Sequence, residues 1–336
     1  MQNFHKSSEG GIISYLFIQV VGMTLFLWLL ALTGGLLILS LSSDWFVDAA
    51  EKVGIYFRLP GFIIGVVIIG FGTSLPELAS SIVSVLQGRS EIVISNAIGS
   101  NITNIFLVLG VSALFADSYT IQHDIFKTDL PFLMGSAIMI GLMTYDQNFT
   151  IAEGIICLVA LALYLYRSIT HGQISEQIKE EEAEEQNKPS VMTWLVLIIS
   201  PVLITLGADL TVKSVVAVSE ILKIGTEIIA VTVVSLGTSL PEVMVSIQAA
   251  RKGKGDMAVG NVIGSNIFNT FAVMGVSAFF GTLKISSSYP VKTLPIFLGA
   301  TVMAYFIVQD KKVFRFEGIL LLLFYVFFLG SSYGIF

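Results

Sequence analysis

Long apolar segments separated by short polar turns are the dominant pattern along this chain of 336 residues. Ten segments are continuously apolar and close to the length of about 20 residues that a helix needs to cross a bilayer. Strands of a membrane β-barrel would be about ten residues long and would alternate in polarity. The pattern therefore predicts an all-α membrane protein with ten transmembrane helices. The predicted spans are residues 16–42, 60–87, 92–115, 129–145, 151–168, 191–212, 226–250, 257–280, 290–309 and 316–334.

Composition agrees with a place in the bilayer. Hydrophobic residues make up 54% of the chain and charged residues 12%, whereas about 25% of a soluble domain is charged. The net charge of -6 owes much to six glutamates between Glu176 and Glu185, inside a polar run at residues 171–190. A charge block of this kind is typical of a solvated connector, with a cation-sensing regulatory loop as the alternative.

An internal repeat with an offset of 165 residues runs through the chain. The hexamer Gly-Thr-Ser-Leu-Pro-Glu occurs at residues 72–77 and 237–242, and Ile-Gly-Ser-Asn occurs at 98–101 and 263–266. We therefore expect two halves of five helices each, which an acidic linker joins. The expected boundaries are residues 1–170, 171–190 and 191–336.

The basic residues predict the orientation of the two halves. Twelve Lys and Arg residues fall on the odd-numbered loops, and six fall on the termini and the even-numbered loops. The positive-inside rule then predicts a cytoplasmic linker and places both termini outside. Because five spans per repeat is an odd number, the second half enters the membrane in the opposite sense. Inverted repeats of this kind are typical of secondary transporters, with the binding site near the midplane between the halves.

Each hexamer brings an acid, a threonine and a proline into an apolar segment. The proline removes a backbone donor, so carbonyl groups near the threonine lose helical partners. The threonine and the acid are four residues apart and share one helix face. An acid inside the membrane is costly and is a functional candidate by default. The candidates from the hexamers are Thr73, Glu77, Thr238 and Glu242.

A second pair of segments adds hydroxyl and amide oxygens. In each half, a serine and an asparagine lie four residues apart, with another asparagine one turn earlier. Oxygen ligands in this number suit Ca²⁺ or Na⁺ and do not suit soft transition metals. Packing and hydrogen bonding between helices are the alternative for the earlier asparagines. A helix-end or interfacial role is favoured over ion binding for Asp44 and Asp209. The candidates are Ser100, Asn104, Ser265 and Asn269, preceded by Asn96 and Asn261.

The paired hexamers, each followed by an Asn-x-Ile-Gly-Ser-Asn-Ile stretch, resemble the two α-repeats of the cation/Ca²⁺ exchanger superfamily, in particular its prokaryotic Na⁺/Ca²⁺ exchanger branch. The resemblance covers nearly the whole chain. It implies a secondary active antiporter that exchanges Na⁺ for Ca²⁺ by alternating access in the cell (inner) membrane. Its expected partners are these ions and the lipid bilayer. No enzyme activity, cofactor, nucleic acid or obligate protein partner is expected.

The resemblance also implies roles for single residues. Glu77 and Glu242 ligate Ca²⁺ at the centre, and Asn104 and Asn269 complete that cluster. The threonines of the hexamers contribute backbone and hydroxyl oxygens, the serines after them line the pathway, and the serine of each Gly-Ser-Asn run serves a flanking Na⁺ site. In chain order these residues are Thr73, Ser74, Ser100, Thr238, Ser239 and Ser265.

One position departs from the family, because several members carry an aspartate where this chain has Asn269. The central cluster here therefore has two acids in place of three, which bears on the ion stoichiometry. The resemblance further implies that the first and sixth spans slide against a core formed by the other eight.

Three other functions are weighed against Na⁺/Ca²⁺ exchange. A Ca²⁺/H⁺ exchanger would release the metal by protonation of the same acids, but the hydroxyls of Ser100 and Ser265 favour Na⁺. A cation channel would conduct continuously, whereas the duplicated helix breaks favour a carrier that occludes its ions. An intramembrane enzyme is disfavoured because His5, His123 and His171 all fall outside the spans.

Overall fold

The computed structural model describes residues 5–115, 118–175, 188–222, 239–286 and 289–332. The fold is mostly helical, as expected. We number the helices in chain order: α1 His5–Tyr56, α2 Gly61–Leu86, α3 Glu91–Leu114, α4 Asp129–Met143, α5 Ile151–Ser175, α6 Val191–Ile221, α7 Leu240–Arg251, α8 Gly255–Phe280, α9 Tyr289–Val308 and α10 Arg315–Ser332.

Eight helices within the described residues are long and apolar enough to cross a membrane. The helix α4 is apolar but shorter, at 15 residues. The helix α7 covers the second half of the predicted span 226–250. The first half of that span lies outside the described residues. The helical membrane fold is therefore confirmed, and the count of ten spans stays a prediction.

Helices α1 and α6 extend beyond the spans predicted for them. The predicted spans stopped at residues 42 and 212, but α1 continues to Tyr56 and α6 to Ile221. Both predicted spans end where the first charged residues follow the apolar segment. In the structure these charges have partners, so the helices continue past them. Asp209, for example, pairs with Lys213 one turn later on α6, at 2.7 Å.

Among the described residues, four short strands link loops that are distant in sequence, a feature that the all-α prediction did not include. They are β1 Ser118–Thr120, β2 Asn148–Phe149, β3 Leu283–Lys284 and β4 Lys312–Phe314. β1 pairs antiparallel with β4, and β2 pairs antiparallel with β3. The loop after α3 thus lies beside the loop after α9, and the loop after α4 beside the loop after α8.

Helices α2 and α8 cross in close contact at the centre of the fold. Gly264 on α8 permits this approach, because a Cβ there would lie 2.7 Å from the Cα of Val66 on α2. Small residues allow membrane helices to bring their backbones together in this way. The crossing joins the first half of the chain to the second, since Val66 and Gly264 belong to different repeats.

Within the described part of the chain, three π-helical segments interrupt the α-helical geometry of the core. They are Ile64–Gly70 in α2, Asn104–Leu109 in α3 and Asn269–Val273 in α8. The last two begin at residues 165 positions apart, so the distortion itself is repeated. Such π segments are rare and often occur at functional sites.

Candidate ion-binding site

The acids of the two hexamers are fully buried near one another. Glu77 and Glu242 are each 1% exposed, and their four carboxylate oxygens have no hydrogen-bond partner among the described residues. The two carboxylates lie within electrostatic range of each other, and the Thr73 hydroxyl lies near Glu242 without forming a hydrogen bond of good geometry. Two buried carboxylates without partners are costly unless cations neutralise them. This arrangement fits a site for transported cations.

Four more buried side chains have the same property and the same symmetry. Ser74 and Ser239 are 165 positions apart, as are Asn104 and Asn269. All four are buried, and their polar side-chain atoms have no hydrogen-bond partner among the described residues. Buried polar groups are normally hydrogen-bonded, so each exception needs an explanation. Cation binding would explain the unpaired hydroxyl and amide oxygens in both halves of the chain.

Thr73 connects the site across the two repeats. Its Oγ1 lies 3.3 Å from Asn261 Oδ1 and 3.4 Å from Ser265 Oγ, both on α8. The hydroxyls of Thr73 and Ser265 each donate to the carbonyl oxygen of Gly70, at 3.4 Å. Gly70 ends the π segment of α2. Carbonyl, hydroxyl and amide oxygens of both halves therefore meet at this point.

The same hydrogen bond supports each half of the site. Asn261 Nδ2 donates to Ser246 Oγ at 2.9 Å, and Asn96 Nδ2 is 3.5 Å from Ser81 Oγ. These partners are again 165 positions apart. Asn261 also reaches the carbonyl oxygen of Glu242, at 3.5 Å. The earlier asparagines thus hold the helices of each hexamer in place, in line with the packing alternative.

Comparison with known proteins identifies the family. The model of the sodium/calcium exchanger protein family matches residues 27–170 and 192–334 of this chain. The chain belongs to this family. The resemblance seen in the two hexamers is therefore confirmed, and with it the assignment to membrane ion exchangers. This family consists of transporters, which agrees with the expectation that the chain is not an enzyme.

Individual relatives agree with this assignment. The chain is 34% identical over 300 residues to the uncharacterized membrane protein MJ0091 of Methanocaldococcus jannaschii, covering 88% of this chain and 95% of that protein. It is 31% identical over 337 residues to the sodium/calcium exchanger MaX1 of Methanosarcina acetivorans, again covering 88% and 95%. A structure of the sodium-calcium exchanger NCX_Mj, soaked with 10 mM Na⁺ and zero Ca²⁺, matches with a TM-score of 0.77 at 31% identity, covering 90% of this chain and 98% of that chain.

In the present chain, most of the candidate ligands lie in the buried core. Nine of the ten candidates lie in the described residues and are buried: Thr73, Ser74, Glu77, Ser100, Asn104, Ser239, Glu242, Ser265 and Asn269. The tenth, Thr238, lies outside the described residues. Within the described ranges, no group of three or more His, Cys, Asp or Glu side chains could hold a metal ion. The candidate site therefore relies on two acids and on neutral oxygen donors.

Two sequence-based expectations are modified. The helix does not break at the first hexamer, since α2 runs through Pro76. The distortion lies upstream of Pro76, in the π segment, where side-chain hydroxyls bond the Gly70 carbonyl. Asp44 lies well inside α1 and pairs with Lys252 at 2.7 Å. The ion pair supports a role other than ion binding for Asp44. Asp44 does not lie at the end of a helix.

Sequence reasoning gave no role to two buried residues beside the site. Asn101 and Thr270 hydrogen-bond across α3 and α8, at 2.9 Å. Asn101 belongs to the repeated Ile-Gly-Ser-Asn run, so the repeat marked its position. Nothing in the sequence paired it with Thr270, because that pairing depends on how α3 packs against α8.

Proposed function

We propose that this exchanger is a secondary active antiporter that exchanges Na⁺ for Ca²⁺ across the cell membrane by alternating access. Ten helices form two inverted repeats of five, with both termini outside. The ions bind near the midplane between Glu77 and Glu242. The observation that carries this proposal is the pair of buried acids without partners, related by the same offset as the rest of the repeat.

The donors divide into a central and a flanking set. Glu77, Glu242, Asn104 and Asn269 surround the central position, which Ca²⁺ occupies. The remaining hydroxyls and the nearby carbonyl oxygens form flanking positions for Na⁺. Ca²⁺ takes 6 to 8 oxygen ligands, and the two carboxylates supply the charge that a divalent ion needs. The flanking donors are Thr73, Ser74, Ser100, Thr238, Ser239 and Ser265.

Charge balance couples the two ions. Two carboxylates in a poorly hydrated cavity repel each other strongly when the site is empty. One Ca²⁺ or about two Na⁺ neutralises the charge of Glu77 and Glu242, so an occupied site occludes more readily than an empty one. Ca²⁺ then leaves only in exchange for Na⁺. An inward Na⁺ gradient would drive Ca²⁺ out of the cell.

One feature of the fold supports the proposed topology. The strand pairs join the third loop to the ninth and the fourth to the eighth, as expected if odd and even loops lie on opposite sides. The two halves also differ in access. Ser80 is exposed and Asn96 is partly exposed, whereas the matching residues Val245 and Asn261 are buried. Under the proposed orientation, Ser80 and Asn96 lie toward the outer side of the membrane.

The test is uptake of radioactive Ca²⁺ into proteoliposomes that contain the purified chain. Vesicles loaded with Na⁺ should take up Ca²⁺, and vesicles with only an outward proton gradient should not. Glu77→Gln and Glu242→Gln should abolish uptake, because each removes a charged ligand that no neighbour replaces. Glu91→Gln, at an exposed acid on α3, is the matched control and should transport normally.

Two results would contradict the proposal. Near-normal uptake by Glu77→Gln or Glu242→Gln would remove both acids from the centre of the site. Uptake driven equally well by the proton gradient would identify a Ca²⁺/H⁺ exchanger instead.

A further inference from the structure

Asn101 forms a hydrogen bond that reaches from the first repeat into the second, close to the candidate site. It is 0% exposed, and its Nδ2 donates to Thr270 Oγ1 at 2.9 Å and to the carbonyl oxygen of Asn266 at 3.3 Å. Both acceptors belong to α8. They lie on either side of Asn269 in sequence, so one amide group on α3 holds the turn of α8 that carries a candidate ligand.

This turn of α8 is an unusual place in the helix. The π segment Asn269–Val273 begins there, and its hydrogen-bond geometry differs from that of the α-helix on either side. A widened turn changes the direction in which its side chains project, and such turns are frequent at functional sites. The direction of the Asn269 side chain therefore depends on what holds the turn. Asn101 on α3 donates a hydrogen bond to Thr270 in this turn and so holds it from outside α8.

The hydrogen bond between Asn101 and Thr270 occurs once, although the sequence repeat places an asparagine at the matching position in both halves. The residue that matches Asn101 is Asn266, whose side-chain atoms are buried without a hydrogen-bond partner among the described residues. The residue that matches Thr270 is Ile105, which offers no acceptor. The sequence thus provides the acceptor in the second half alone. The hydrogen bond supports Asn269 and has no counterpart that supports Asn104.

We propose that Asn101 is a positioning residue for ion binding, which acts with Thr270 to fix the turn of α8 that carries Asn269. Its amide keeps the Asn269 side chain directed at the central position and so sets the affinity for Ca²⁺. This inference rests on the proposed function, in which Asn269 is a central ligand. It assigns the two asparagines of the repeated Gly-Ser-Asn runs different roles in spite of their matched positions.

The experiment measures Ca²⁺ and Na⁺ binding to the purified full chain. Asn101→Leu removes the donor at similar volume, and Thr270→Val removes one acceptor with almost no change in shape. Loss of a buried hydrogen bond of this kind should weaken Ca²⁺ affinity roughly 5- to 10-fold for Asn101→Leu and somewhat less for Thr270→Val. The affinity for Na⁺ should change less. Thr270→Ser keeps the acceptor and should bind Ca²⁺ as the native chain does.

Two comparisons separate positioning from a general loss of structure. Thr301→Val is the matched control for Thr270→Val, because the buried hydroxyl of Thr301 donates to the Phe297 carbonyl oxygen of its own helix α9, and its Ca²⁺ affinity should stay within about twofold of native. A double-mutant cycle adds Asn101→Leu to Asn269→Ala. If Asn101 acts through Asn269, the second substitution should cause no further loss of Ca²⁺ affinity.

The outcomes that overturn the inference are distinct from those that overturn the proposed function. Unchanged Ca²⁺ affinity in both Asn101→Leu and Thr270→Val, an equal loss in Thr301→Val, or additive losses in the cycle would each refute the positioning role. Glu77→Gln is measured alongside as the reference. Normal Ca²⁺ binding by Glu77→Gln would overturn the proposed site, and this inference with it.

Discussion

Lys252 Nζ lies 2.7 Å from Asp44 Oδ1 and ties the turn after α7 to α1. Lys252 also pairs with Asp48 at 2.7 Å, and Lys254 pairs with Asp48 at 3.3 Å and with Glu51 at 2.7 Å. Partial burial lowers the pKa of Lys252, but its hydrogen bonds to Asp44 and Asp48 outweigh this, so the net pKa is raised. Lys252 is therefore charged at neutral pH, as its ion pairs require.

The matching positions in the other repeat do not reproduce this cluster. Asp48 corresponds to Lys213, and Lys252 corresponds to Gln87. If α1 slides against the core, as the resemblance implies, the ion pairs must break each time. They therefore stabilise the position of α1 that the structure shows. Within the described residues, the ion pair of α6 joins Asp209 to Lys213 of the same helix and does not tie α6 to the core.

The combined substitution of Lys252→Gln and Lys254→Gln should loosen α1 from the core. Distances between spin labels at Ile55 on α1 and Lys312 on β4, measured by double electron–electron resonance, should broaden or shift. Lys213→Gln serves as the control, since Lys213 pairs with Asp209 of its own helix and should leave these distances unchanged. Identical distributions for native chain and double variant would show that the ion pairs do not restrain α1.

Ser100→Ala and Ser265→Ala should weaken Na⁺ binding more than Ca²⁺ binding. In the proposed site, both hydroxyls face flanking Na⁺ positions, and Ser265 Oγ lies 3.4 Å from the Gly70 carbonyl oxygen. The measurement is the affinity for each ion in the purified variants. Ser136→Ala is a suitable control, because that buried hydroxyl bonds only to Leu133 of its own helix. A larger loss for Ca²⁺ than for Na⁺ would contradict the division of the site.

Asn269→Asp should increase the number of Na⁺ ions exchanged for each Ca²⁺. A third carboxylate beside Glu77 and Glu242 adds one negative charge, so the Na⁺-loaded site takes up one more Na⁺. The Ca²⁺-loaded site still holds a single divalent ion and keeps one net negative charge. Reversal potentials of Ca²⁺ flux at fixed Na⁺ gradients report this ratio in proteoliposomes. Asn269→Ser, which adds no charge, is the control for the loss of the amide. An unchanged ratio in Asn269→Asp would mean that this position does not belong to the ion cluster.

Gly264→Ala and Gly99→Ala should differ in stability although the two positions match in the repeat. A Cβ at Gly264 would lie 2.7 Å from Val66 Cα, whereas a Cβ at Gly99 would have no neighbour within 4 Å. Overpacking of this kind costs about 1–3 kcal/mol, so Gly264→Ala should melt at a lower temperature and Gly99→Ala should not. The measurement is the size-exclusion profile of detergent-solubilised protein after heating. Equal melting temperatures would show that α2 and α8 separate at no cost.

The sequence by itself determined the membrane-helical class, most of the helix positions, the internal repeat and the family. These follow from local properties: apolar length, the offset of 165 residues, and two hexamers that keep an acid beside a proline. It also named Glu77 and Glu242 as candidates, because an acid in an apolar segment stands out without any knowledge of the fold. Predicted boundaries were least accurate for α1, where charged residues continue the helix.

Tertiary structure alone decided which of these residues meet and which of the matched positions differ. Thr73 lies beside Ser265, and Asn101 beside Thr270, although each pair is more than 160 residues apart in the sequence. Such contacts depend on the crossing of α2 with α8 and on the packing of α3 against α8. The ion pairs of Lys252 are equally invisible in the sequence. A charged residue ends an apolar segment of the sequence without ending the helix, and only the packing shows which opposite charge lies within 3 Å of it.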